Sequence, residues 1–277
     1  MIRKSLKEAL ARLADTPVLW ITGLYLGILF TVDVLLQAGG ATLVGARIGF
    51  LGLCALPFFL GGSYGAIQGR EAGSRAYLAA GARYYFRILL AGAVIVSVAV
   101  FTALLVMVPI LAIGGSLQAA VPSALLGVGV SFAFLAAFAD TAVVLEDRKV
   151  LDSIRRSVEF VTGNLKAVVL FYLATLAIGL LFFFISVVLW SFTVSDRLLP
   201  LMENNQTVLQ NLTAPGLVNL VGFPGLGAGA IIGFLAVTIG GTILIAFKAC
   251  FFRRVTASSP ASVAQGEFDE KGRWYRY

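Results

Sequence analysis

The chain has 277 residues, of which 59 % are hydrophobic and 13 % charged, with a mean hydropathy of +0.94 and a formal net charge of +7. A soluble domain carries about twice that density of charge, so the composition excludes a water-soluble globular protein. Histidine is absent, which removes His-based triads, His metal ligands and His general bases.

Charge and apolar sequence alternate along the chain. Residues Ile2, Leu6, Leu10 and Leu13 recur at helical spacing, with Lys4, Lys7 and Glu8 largely on other faces. That pattern predicts a short amphipathic helix lying in the membrane interface. It ends at Asp15-Thr16-Pro17, where proline suits the first position of a new helix. This start is charged and no small-residue cleavage site follows a short apolar core, so no cleavable signal peptide is expected. A bilayer-spanning helix needs about 20 predominantly apolar residues, and runs of that kind predict spans at about 17–37 and 46–68. A weaker surface helix, Ser74–Phe86, precedes a third span at about 88–113. The turn signals Gly114-Gly115-Ser116 and Val121-Pro122-Ser123 separate it from a fourth at about 121–145. Residues Leu151, Ile154, Val158 and Val161 predict a third surface helix, closed by Thr162-Gly163-Asn164. Spans at about 166–193 and 226–252 complete the set, and residues 257–277 read as a flexible tail after one membrane domain, 1–256.

The resulting expectation is an all-α integral membrane protein. Six transmembrane helices form three hairpins, each preceded by a cytoplasmic amphipathic surface helix. The units begin near residues 2, 74 and 149, which reads as an internal repeat; positive-inside topology alone is the alternative source of the likeness. Nineteen of the 21 Lys and Arg residues fall at the N-terminus, in the second and fourth connections, or at the C-terminal end; the intervening connections hold only Arg47 and Arg197. The positive-inside rule then predicts a multi-pass cell-membrane protein with both termini cytoplasmic. Membrane orientation accounts for the net charge, so nucleic-acid binding is not invoked. The sequons at Asn205 and Asn211 fall in the fifth connection, which this topology places outside; they are either glycosylation sites or chance matches.

Asp33 and Asp140 are the acids inside the predicted spans, away from their last residues. Intramembrane acids are functional candidates by default. Each is either a proton or cation site or a structural group, Asp140 then bonding a cytoplasmic Arg or a helix N-terminus. Arg148, Lys149, Arg155 and Arg156 are candidates for anionic lipid headgroups. Gly61, Gly65 and Gly69, and then Gly225, Gly229 and Gly233, recur four apart. That spacing lets helices approach closely, within the chain or between copies. Pro57 and Pro109 mark kinks in spans two and three. Cys54 and Cys250 read as small hydrophobes. No catalytic residue, metal site or cofactor is expected.

The stretch from Ala139-Asp140 through Glu146-Asp147 to Asp152-Ser153, Ser157 and Gly163-Asn164 is the end of a span, an acidic turn, then an amphipathic helix. This stretch and the six-span layout resemble the membrane domain attached to some glycerophosphodiester phosphodiesterases and its uncharacterised prokaryotic, often archaeal, relatives. The resemblance implies architecture and no enzymatic activity. The expected role is a non-enzymatic scaffold, partner-binding or membrane-organising protein whose partners include the bilayer and anionic headgroups on its cytoplasmic side. The alternative is a transporter or channel for a small or lipid-like substrate. A lipid-modifying enzyme would need polar groups clustered at one depth, and acids and bases occur together only at the cytoplasmic rim.

Overall fold

The computed structural model describes residues 1–69, 73–113, 116–204, 214–258, 266–268 and 274–276. Asn205 and Asn211 lie outside the described residues. The helices are α1 (Ile2–Asp15), α2 (Trp20–Ala38), α3 (Thr42–Gln68), α4 (Ser74–Ala112), α5 (Leu117–Ala136), α6 (Ala139–Leu145), α7 (Val150–Gly163), α8 (Leu165–Asn204) and α9 (Ala214–Ser258). In the tail expected to be flexible, β1 (Gly266–Phe268) pairs antiparallel with β2 (Trp274–Arg276). Six helical stretches are long and apolar enough to cross a bilayer: Pro17–Ala38, Thr42–Gln68, Ser74–Ala112, Val121–Leu145, Leu165–Asp196 and Val221–Ser258. The chain is a multi-pass membrane protein.

One local expectation is corrected, and two spans carry breaks or bends of their own. The middle surface helix and the third span are one continuous helix, α4. Neither a proline nor a cap interrupts it near residue 87, and Gly81 sits inside it because α3 comes so close: a Cβ there would lie 2.8 Å from the Phe58 carbonyl oxygen. The fourth span is broken, α5 ending at Ala136 and α6 starting at Ala139. The break is chemically provided for. The Phe138 N–H donates to Ser157 Oγ (3.0 Å), and that hydroxyl donates to the Leu135 carbonyl (2.7 Å). Backbone groups released from the helix ladder must find partners in a dry setting, and one serine of α7 serves two of them. The last span is bent at Gly222, whose φ of 65° lies in the region that glycine tolerates and other residues avoid. Pro57 and Pro109 lie inside continuous helices.

The helices form a row of neighbours in which α5 packs on α4, α4 on α3, α3 on α2, α2 on α9, and α9 on α8. At the charge-bearing end the row closes. There α1 packs on α9, α6 touches α3, α4 and α9, and α7 packs on α5 and α6. The Tyr172 hydroxyl of α8 donates to the Phe134 carbonyl of α5 (2.9 Å), and the two rings stack. The main buried cluster sits at this end. Phe138, fully buried, stands among Phe160, Phe171, Phe251 and Phe252. Farther along the spans, Phe101, Leu126, Phe183 and Phe184 are exposed, as expected where the solvent is hydrocarbon.

α1 and α7 are both 14 residues long, and they bury equivalent positions: Ser5, Ala9 and Leu13 in one, Ser153, Ser157 and Val161 in the other. The first turns of α4 bury Tyr77, Gly81 and Tyr84 at similar spacing. The side turned to the protein therefore takes one residue of each apolar stripe, Leu13 and Val161, together with small residues. Leu10 and Leu151 are exposed, because small residues fill the close helix crossings.

Candidate functional site

Sequence hydropathy draws attention to Asp140; the fold decides its surroundings. Asp140 occupies the first turn of α6, where the helix dipole favours a negative charge. Its Oδ1 accepts from the Thr141 N–H (2.7 Å), and Lys248 Nζ of α9 stands 2.7 Å from both carboxylate oxygens. Oδ2 also accepts from the hydroxyl of Tyr64 on α3 (3.0 Å), a side chain that is itself fully buried. The lysine ammonium lies 5.9 Å from the Tyr64 ring centroid. Three elements far apart in sequence thus meet in one neutralised cluster. The helix N-terminus considered as a partner for Asp140 is used, but the cation is Lys248 rather than an arginine.

Asp33 is elsewhere. Its Oδ2 accepts from Gln37 Nε2 (2.6 Å) on an exposed face of α2, and its other oxygen faces Gly45 of α3. Gly45 and Tyr64 lie at opposite ends of α3, roughly 28 Å apart at about 1.5 Å rise per residue, so the two acids do not form one site.

Among the described residues, eight basic side chains of the charged end pair with acids. Arg156 makes a forked contact to Glu146, which also takes Arg148. Arg155 pairs with Glu159 one turn on, and Arg83 and Arg87 both reach Asp147. Asp147 holds a positive φ of 50° at the turn into α7. Of the four headgroup candidates, Arg148, Arg155 and Arg156 are therefore engaged within the protein; Lys149 makes no ion pair among the described residues. Glu8 of α1 bonds both Arg253 and Arg254 of α9, the latter at 2.6 Å, and Arg253 also reaches the Ile67 carbonyl. Burial alone raises the Glu8 carboxyl pKa, but hydrogen bonds from Arg254 and Arg253, with their charges, outweigh it and the value is lowered.

A second polar group escaped the sequence reading. Thr22 Oγ1 of α2 lies 2.6 Å from Ser63 Oγ of α3 and 2.8 Å from the Tyr77 hydroxyl of α4, over the Phe59 carbonyl. Single Thr, Ser and Tyr residues are common in spans, so only their convergence is informative.

The predicted packing glycines divide. A Cβ on Gly61 would press on Tyr84 at 3.4 Å, and one on Gly65 would overlap Ala80. Gly69 instead ends α3. Gly225, Gly229 and Gly233 of α9 face Val194, Trp190 and Phe30, along a cleft of about 670 Å³ between α2, α8 and α9. Its walls are almost wholly apolar, and the Trp190 N–H at its edge is spent on the Gly225 carbonyl (3.0 Å). Cys54 and Cys250 are free thiols. Among the described residues no three Cys, Asp or Glu side chains gather where they could hold a metal ion.

A family model for a domain of unknown function, DUF7847, matches residues 1–255, which is every helix but the last turn of α9. The chain belongs to the DUF7847 family. No curated protein and no solved structure matches it. The family assignment covers the charged end and all six apolar stretches as one unit, and it assigns no chemistry to them.

Proposed function

We propose that this DUF7847 protein is a non-enzymatic scaffold of the cell membrane that organises lipid or a protein partner at its charged face, with both termini cytoplasmic. One observation carries the reading. Among the described residues, the acids Asp140, Glu146 and Glu8 at this end tie separate parts of the chain together through Lys248, Arg156 and Arg254. Such cross-links make a rigid platform. The surface helices α1 and α7 complete it, with Leu10 and Leu151 turned outward beside charged neighbours, a distribution suited to an interface between water and lipid. The resemblance to the membrane domain of glycerophosphodiester phosphodiesterases agrees with this reading, since there too chemistry belongs to a separate soluble domain. Reconstitution into liposomes tests it. The scaffold should recruit a partner from the cytoplasmic side or alter membrane curvature or lipid order, and inert vesicles would remove its content.

A second reading, transport of a lipid-like substrate, is favoured by the apolar cleft between α2, α8 and α9. It requires that fluorescent lipid analogues cross protein-containing vesicles faster than empty ones, and that a bulky residue at Gly229 slows them.

A further inference from the structure

We infer that the junction of α1 with the α7–α8 corner binds the phosphate-bearing headgroup of an anionic phospholipid, with Lys166 as its cation. The inference rests on the membrane-surface reading above and gives it a place. A cavity of about 380 Å³ opens there, bounded by Ile2, Asn164, Leu165, Lys166, Ala167 and Leu170. Its position suits a lipid: α8 enters its apolar stretch at Leu165, so Leu170 and Ala167 face hydrocarbon depth while Lys166 stands at the rim.

Charge selects the occupant. Lys166 makes no ion pair among the described residues, nor do Arg3, Lys4 and Lys7 on the adjoining turns of α1. The acids that might quench them are taken: Glu8 by Arg253 and Arg254, Glu159 by Arg155. At the carbonyl end of α7, which disfavours an anion, Asn164 takes up the Phe160 carbonyl from both its backbone N–H and its side-chain amide, each at 3.1 Å. The expected headgroup candidates Arg148, Arg155 and Arg156 are bound to acids, which leaves Lys149 at one end of α7 and Lys166 just past the other as the uncommitted cations beside this helix among the described residues.

The test uses the full-length protein in neutral phosphatidylcholine nanodiscs, with phosphatidylglycerol as the added probe and retained lipid read by native mass spectrometry. Lys166→Glu should lower phosphatidylglycerol retention at least about five-fold, the loss of one interfacial cation or more. Lys166→Arg should retain binding, which guards against a folding defect. Lys149→Glu, an equal charge change away from the cavity, should have little effect, and Leu170→Trp should reduce binding by filling the apolar floor. Equal losses for Lys166→Glu and Lys149→Glu would overturn the site while leaving general attraction of the charged face to anionic lipid in place. No preference for phosphatidylglycerol over phosphatidylcholine in the unaltered protein would overturn both. Inorganic phosphate or glycerol 3-phosphate displacing the lipid at comparable concentration would show a soluble-anion site, against the lipid assignment.

Discussion

Lys248 Nζ touches both carboxylate oxygens of Asp140 at 2.7 Å although 108 residues separate them in the chain. The two side chains are 18 % and 22 % exposed, so removing one partner leaves the other charge largely out of water without its counterpart. Asp140→Asn and Lys248→Met should each destabilise the folded protein by about 1.5–3 kcal/mol. Combining the two changes should recover a large part of that loss. Thermal unfolding in detergent, arranged as a double-mutant cycle, measures the coupling; strictly additive losses would contradict a direct interaction.

Ser157 holds two backbone groups across the break between α5 and α6. Ser157→Ala should leave the Phe138 N–H and the Leu135 carbonyl without partners, at about 1–3 kcal/mol each for a buried group. Hydrogen exchange should accelerate at Phe138 before it does in the interior of α8. Ser153→Ala, whose hydroxyl bonds only the Val150 carbonyl of its own helix, should do much less.

Close helix approach predicts a graded glycine series. A Cβ at Gly62 would fall 2.7 Å from the Tyr77 ring, and one at Gly65 would overlap Ala80, whereas nothing lies within 4 Å of the position at Gly49. Gly62→Ala and Gly65→Ala should cost about 1–3 kcal/mol through overpacking. Gly49→Ala should be neutral or gain a few tenths of a kcal/mol through the unfolded chain. Melting temperatures in one detergent rank the three variants directly.

The bond network around Glu8 predicts acid sensitivity localised to α1. The folded pKa is lowered below its ordinary value of 4.5. Its contribution is therefore complete above the unfolded value and is lost as pH falls through the lower folded value. Hydrogen exchange in α1 should rise at acid pH in the native chain. Glu8→Gln should show raised exchange already at neutral pH and a flatter dependence through that acid range.

How much of this was legible beforehand follows from what kind of property each feature is. The six apolar stretches and their approximate limits depend on local composition, so hydropathy suffices for them, whereas Val121-Pro122-Ser123, expected as a turn, lies inside α5. The continuity of α4 was missed because charge on its first turns resembles a separate surface helix. The protein-facing sides of α1 and α7 carry no hydropathy signal, because small residues there, Ser5 and Ala9 in one and Ser153 and Ser157 in the other, sit beside Leu13 and Val161 of the apolar stripes.

Sequence alone determined that this chain crosses a bilayer and which of its ends is rich in cations, because a run of apolar side chains has only one favourable solvent and charge is confined to what remains. Tertiary structure decided which cations are spent and which stay available. Asp140 could be singled out as an acid at membrane depth, but only helix packing brings Tyr64 and Lys248 to it. Pairing energies depend on distances between residues remote in the chain, and hydropathy carries no information about those distances.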